Sequence, residues 1–232
     1  MKEILKFKNL LFLSIFILLS SCGQTIDWDD DKEYITISFN SEGLTKVLSY
    51  KGLPFNGELV EYFDDEKTQL KQRIDYKEGL KDGLSEEYNK NGQLEKNVTY
   101  KEGEIEEEVK YTYYENGQLS LKVTLNERDQ SDGPFESYHE NGQLNIKGSY
   151  KKDELDGPYE NYHENGQLNA KGSYKKGEID GPFEFYHENG QLSEKGAFKD
   201  GNLDGQWEVY DEDGQLNEKR SGIYKDGYKQ DD

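Results

Sequence analysis

Three side-chain types recur at fixed places in this chain, and each has a chemistry it could perform. All three histidines, His139, His163 and His187, stand second in the phrase Tyr-His-Glu-Asn-Gly-Gln-Leu, at 138–144, 162–168 and 186–192. A row of imidazoles suggests a metal site or a catalytic array. Glu136, Glu160, Glu184 and Glu208 recur in step with them, and paired carboxylates hydrolyse glycosides. Asp132, Asp156, Asp180 and Asp204 form a third row, of a type that suits calcium.

The elements that carry these residues decide among the options. The phrase Tyr-x-x-[Asn/Asp]-Gly-Gln-Leu begins at Tyr88, Tyr113, Tyr138, Tyr162, Tyr186 and Tyr210, at spacings of 25, 25, 24, 24 and 24 residues. A degraded copy begins at Tyr62, with two extra residues in its turn, and a half-copy lies around Phe39–Leu44. In one unit, 180–203, FEFYH reads as one strand and QLSEKGAF as the next. The Asn-Gly pair between them predicts a type I′ hairpin turn, with both central residues at positive φ. A second turn falls on Lys176-Gly177 or Asp200-Gly201, and Pro134, Pro158 and Pro182 stand at strand starts, where a missing N–H is tolerated. Alternation puts Leu144, Gly148 and Tyr150 on one face and Asn145, Lys147 and Ser149 on the other. Phe183 and Tyr186 are three apart, so either a bulge separates them or both faces of the sheet carry aromatic rings.

Strand spacing then tests the chemistry. Strands lie ~4.8 Å apart, so equivalent residues of successive two-strand units lie ~10 Å apart. Zinc holds its ligands at ~2 Å, and the three histidines cannot share one ion. Other copies carry Asn89, Tyr114 and Asp211 at that place. The histidines are therefore expected to be exposed residues at a hairpin end, with a pH-responsive row as the alternative. Glycosidase carboxylates need a separation of ~5–9.5 Å and unlike environments, which repeated glutamates lack. The aspartates read as turn formers rather than calcium ligands. No phosphate loop, nucleophile–base set or zinc motif is present, so no cofactor is expected and a catalytic role is not.

Two aromatic rows remain. Phe135, Tyr159, Phe183 and Trp207 form one, and Tyr138, Tyr162, Tyr186 and Tyr210 the other. One row packs the core. Tyr138, Tyr162, Tyr186 and Tyr210, together with Trp207, are the candidate binding surface.

Composition fits such a scaffold. Only 32% of the 232 residues are hydrophobic, yet 13% are aromatic and 24 are glycine. That aromatic share argues against disorder. The net charge of −20 argues against nucleic acid, whose phosphates need clustered Lys and Arg. The chain opens with Lys2, Lys6 and Lys8, an apolar run from Leu10 to Leu19, then small residues, in the layout of a secretory signal. That run, at ~15 Å as a helix, is about half of a hydrocarbon core.

Leu19-Ser20-Ser21-Cys22-Gly23 resembles the lipobox of bacterial lipoproteins, which implies cleavage before Cys22 and lipid attachment to it, the only cysteine in the chain. The mature chain would carry a charge near −22, since it loses three lysines and one glutamate. The acidic stretch after Cys22 resembles the surface-export signals of some Bacteroidota lipoproteins. The units themselves resemble MORN-type repeats, in the bacterial variant found in YwqK-like proteins, through an Asp-Gly-x-[Phe/Tyr/Trp]-x-x-Tyr opening, the Asn-Gly-Gln-Leu turn and a Lys-Gly-x-[Tyr/Phe]-Lys-x-Gly close. These are best kept over Asp132–Leu203 and blurred over Lys101–Lys110, where Glu107-Glu108 replaces Asp-Gly. The resemblance implies an all-β fold, an elongated twisted antiparallel sheet of about seven stacked hairpin repeats over 35–228. Before it come a signal-peptide helix at 1–21 and an acidic tether at 22–34; residues 229–232 form a tail. The expected function is a non-enzymatic scaffold, lipid-anchored at a bacterial outer membrane on its periplasmic or surface side, that binds a protein partner. Alternatives are an antitoxin-like or immunity protein that neutralises a basic toxin, and a polysaccharide-binding envelope module.

Overall fold

The computed structural model describes residues 24–39 and 46–230. The signal segment, Cys22 and most of the half-copy around Phe39–Leu44 lie outside these residues. The rest is an open sheet of hairpins. From Gly57–Tyr62 the strands follow in sequence order through Leu70–Lys77, Leu80–Tyr88, Leu94–Lys101, Glu104–Tyr113, Leu119–Leu125, Ser131–Tyr138 and Leu144–Lys151, each antiparallel to the one before. The order continues through Leu168–Lys175 and Leu192–Lys199 to Gly222–Lys225 and Tyr228–Lys229 at the far edge. The degraded copy at Tyr62 is a true member, because Tyr62 faces Leu70 as Tyr186 faces Leu192.

In the later units the outgoing strand is broken in two. Glu154–Leu155 and Gly157–Tyr162 both pair with Leu144–Lys151. The register runs from Tyr150↔Leu155 to Lys147↔Glu160, which leaves two extra residues on the outgoing side. Asp156-Gly157 supplies them, and Gly157 sits at φ +115°, a conformation an L side chain resists. In the earlier units the strand is unbroken, both where Asp-Gly is kept, as in Leu80–Tyr88, and where Glu107-Glu108 replaces it. Glu104–Tyr113 is one continuous strand there, with a single register shift between Thr99 and Tyr100.

The Asn-Gly turn is not the type I′ turn expected of it. Asn189 does not have positive φ; only Gly190 does, at +83°. The Gly190 N–H donates to the His187 carbonyl (2.8 Å) and the His187 N–H to the Gln191 carbonyl (2.8 Å). This is a three-residue loop with a bulge at glycine. Asn189 serves instead through its side chain, whose Oδ1 accepts the Gln191 N–H at 2.9 Å. The type I′ turns are the other ones. Lys176 and Gly177 have φ +52° and +82°, and Lys152 and Asp153 adopt +52° and +68° without any glycine.

Both faces carry rings. Phe135 pairs with Gly148, Tyr159 with Gly172 and Phe183 with Gly196. Phe183 (2% exposed) and Trp207 (5%) are buried. Rings link repeat to repeat, with Tyr159–Phe183 centroids 6.4 Å apart and Phe198–Trp207 at 5.3 Å, and Phe183–Phe198 at 5.9 Å joins them within one hairpin. The glycine row admits the next repeat: a Cβ on Gly172 would lie 2.0 Å from Cδ2 of Phe183. Leu144 departs from its expected alternation, because a register shift places it opposite Tyr138 and it is only half-buried.

The acidic tether proves to be largely folded structure. Gln24–Asp27 is a strand that runs parallel to Gly57–Tyr62. A short helix at Trp28–Asp31 follows, with Asp27 Oδ1 accepting the Asp29 N–H at 2.9 Å. Ile26, at 1% exposure, packs with Leu48, Phe55 and Leu59. A three-stranded sheet of Ile35–Phe39, Lys46–Tyr50 and Leu53–Pro54 completes this N-terminal cap.

Candidate functional site, a striped face and a column of turns

The face opposite Phe183 is assembled by strand register alone. Glu184 follows Phe183 and so points the other way. It stands opposite Lys171 in one neighbouring strand and Lys195 in the other. The same pairing extends on both sides, and Lys122, Glu136, Lys147, Glu160, Lys171, Glu184, Lys195 and Glu208 run straight across the sheet with alternating sign. Opposite charges placed directly across strands stabilise a sheet, each pair by ~0.2–1 kcal/mol. Lys171 Nζ lies 2.9 Å from Glu184, and Lys195 Nζ 2.9 Å from Glu208.

Beside this stripe lies the tyrosine row. The hydroxyls of Tyr138 and Tyr162 donate to Glu136 (2.9 Å) and Glu160 (2.7 Å). Tyr186 and Tyr210 bond Glu184 and Glu208 in the same way. Burial, helped by Glu136, pushes the Tyr138 hydroxyl up to about 12. Glu160 and then burial do the same to Tyr162. Lys171 and Tyr186 hold the Glu184 carboxyl below its usual value, and Tyr210 and Lys195 lower Glu208.

This arrangement settles what the glutamates can do. Each is committed to a tyrosine, and Glu160 and Glu184 have the Lys171 strand between them. They form no acid pair, and they act as struts. The depressed values of Glu184 and Glu208 give a pH signature. A carboxyl whose folded value is below its unfolded one stabilises fully above the unfolded value, ~4.3 for Glu, and loses this as pH falls through the folded value. Melting temperature should therefore fall below the ordinary carboxylate range, and Glu184→Gln should flatten that fall. An unchanged acid limb would show that Glu184 does not carry the effect.

The histidines hold the edge together, and they are not the free, exposed residues expected. His139, His163 and His187 are half-buried. Their Nε2 atoms lie 3.0, 3.0 and 3.1 Å from the carbonyls of Tyr162, Tyr186 and Tyr210 in the next repeat. A carbonyl only accepts, so Nε2 carries the proton. Tyr114 does the same job through its hydroxyl, 2.6 Å from the Tyr138 carbonyl. Asn141, Asn165 and Asn189 Nδ2 donate in turn to the carbonyls of Glu164, Glu188 and Glu212 at 2.9, 2.9 and 3.1 Å. Glu115, Glu140, Glu164, Glu188 and Glu212 thus line one edge of the sheet as exposed carboxylates. On the opposite edge Asp156 of the aspartate row, and Asp82 at the equivalent place in an earlier unit, tie one tight turn to the next. Asp82 and Asp156 accept the N–H of Glu102 (3.0 Å) and Lys176 (3.2 Å) in the next tight turn.

Of the predicted binding residues, the structure brings Tyr138, Tyr162, Tyr186 and Tyr210 together on the striped face. Trp207 stands on the other face, against Gly196, with its indole N–H donated to Glu194 at 3.1 Å. The alternating Glu/Lys stripe was missed by sequence reasoning. Its signal is a lysine eleven residues after each glutamate, legible only once the hairpin register is known. Between Pro158 and Pro182 the face dips into an open groove of about 360 Å³, lined also by Glu160, Lys171 and Glu184.

Hairpins stacked by repeated turn-to-turn bonds define an open β-repeat scaffold. The family profile described as a MORN repeat variant matches residues 81–102, 107–127, 131–152, 155–176, 179–200 and 203–222. The chain belongs to this family of MORN repeat variants. The hairpin at Gly57–Lys77, built on the same plan, precedes the first matched unit. A search of curated proteins finds no significant match.

Proposed function

We propose that the chain is a non-catalytic scaffold, anchored through a lipid on Cys22 at a bacterial cell envelope, that holds a protein partner along its tyrosine-bearing face. The repeated stripe carries this reading. Tyrosine and glutamate recur there half-buried and bonded to one another over four units, and Lys171 and Lys195 close on Glu184 and Glu208, so the surface is ordered before any partner arrives. Preorganised tyrosines give contact area at little entropic cost, and repeat arrays present such surfaces as continuous strips. The test is recovery of partners from intact envelopes with the lipidated protein, its Cys22→Ala variant and Tyr162→Ala/Tyr186→Ala. A protein held by the parent and lost by the tyrosine variant supports the reading. A partner that both hold equally removes the stripe from it.

The column of exposed glutamates supports a second reading, an immunity protein for a basic toxin. That association would weaken sharply with salt. Binding to the tyrosine face would not. Recovery of polysaccharide alone would favour a glycan-binding module.

A further inference from the structure

We infer that the sheet edge formed by the two-residue turns, at its N-terminal end, is the surface that lies against the membrane. This rests on the lipid anchor proposed for Cys22. Only Gly23 separates that cysteine from Gln24, the first residue of the parallel strand, so its Cα lies within ~7 Å of the Gln24 Cα. No spacer lifts the array from the bilayer. The strand's entry point decides which edge is near. Gln24 stands opposite Gly57, which pairs with Tyr76 on its other side. Tyr76 is two residues from the tight turn at Glu78-Gly79. The opposite turn, between Phe63 and Gln69, is a strand-length away, roughly 25 Å at ~3.3 Å per residue.

The side chains at that edge suit a headgroup layer. The small cap sheet is attached there, since the Leu48 N–H donates to the Gly79 carbonyl (2.7 Å) and the Gly79 N–H to the Phe55 carbonyl (2.8 Å). It exposes Leu53 by 70% and Ile37 by 52%, beside exposed Lys46 and Lys51. Lys77 is exposed on the adjoining turn. Apolar side chains flanked by lysines enter the headgroup boundary while the ammonium groups stay among the phosphates. The far edge begins with exposed Asp65 and Glu66 and continues as the glutamate column, which an anionic leaflet repels. The three-stranded sheet of the cap therefore faces lipid, while the helix at Trp28–Asp31, tied to Lys67 of the opposite turn, and the acidic edge face away.

The single cysteine makes this testable. Once lipidated, Cys22 leaves no free thiol, and an introduced cysteine becomes the one labelling site. Lys77→Cys and Glu66→Cys are made in the full-length lipidated protein and labelled with a bimane maleimide. They are reconstituted in phosphatidylethanolamine/phosphatidylglycerol vesicles carrying a headgroup nitroxide. Several-fold stronger quenching at position 77 than at 66 is expected. Equal quenching, or stronger quenching at 66, overturns the orientation. Labelling of the parent protein, which has no introduced cysteine, would locate a free thiol at Cys22. That result overturns the anchor, and this inference with it, so the two failures are distinct.

Discussion

Gly172→Val lowers the unfolding midpoint by roughly 6–12 °C, corresponding to ~3 kcal/mol at the upper end of overpacking costs. The damage begins at the first added carbon. A Cβ on Gly172 would lie 2.0, 2.5 and 2.6 Å from Cδ2, Cε2 and Cγ of Phe183. The ring has nowhere to go, because Phe183 is hemmed by Phe185 at 5.0 Å, Phe198 at 5.9 Å and Tyr174 at 6.3 Å. His163→Ala, by contrast, removes one hydrogen bond to a carbonyl at a partly solvated edge, worth ~0.5–1.5 kcal/mol. Thermal melts of the two variants check the ranking, and equal midpoints would refute the packing argument. Combining Gly172→Val with Phe183→Ala gives a sharper check. Removal of the ring relieves the clash, so the double variant should be less destabilised than the sum of the single ones. Strict additivity would mean that the glycine row does not exist to admit the rings.

The same residue shows how much of the molecule was legible in the sequence. Gly172 recurs as Gly148 and Gly196 in strands that alternate beyond the register shift at their first leucine, so its inward face and the ring across it follow from a period of two. Hairpin positions and repeat length are likewise local, and the sequence carries them plainly. What it conceals is everything that passes between repeats. The aromatic rows could not be divided between faces until the register was known, which is why Trp207 was grouped with Tyr210. The histidines looked free because their partners are backbone carbonyls 23 residues away, and a carbonyl leaves no trace in composition. The Asn-Gly turn misled for a related reason. Its asparagine is selected by side-chain bonds to Gln191 and to the next repeat, and positive φ is needed only at the glycine. In Lys152-Asp153 the type I′ conformation persists with no glycine, held by Asp153 N–H and Oδ1 bonds to Ser131 in the preceding strand.

Ile26→Ala should destabilise the cap by ~2–5 kcal/mol, as expected for a large aliphatic side chain removed from a closed core. The segment reads as a charged spacer because Asp27, Asp29, Asp30 and Asp31 crowd around one isoleucine. Yet Ile26 is 1% exposed and completes a cluster with Leu48, Phe55 and Leu59 that no other part of the array supplies. The aspartates are also used. Asp27 lies 3.0 Å from Lys67 in the first hairpin turn, and the Tyr50 hydroxyl donates to Asp31 at 3.0 Å. In a one-dimensional array each unit is stabilised by its neighbours, so the effect of losing one end falls off with distance. Hydrogen exchange on Ile26→Ala should therefore show early opening of amides in Gly57–Tyr62 and Leu70–Lys77, while those of Leu168–Lys175 and Leu192–Lys199 keep their protection. Uniform loss of protection along the sheet would instead mean that the array unfolds as one cooperative body, with the cap merely its first strand. The distinction matters for the anchor. If the lipid proposed for Cys22 is present, a cap that opens by itself would let the array swing on it, whereas a cap cooperative with the sheet would fix the tyrosine face at one angle to the membrane.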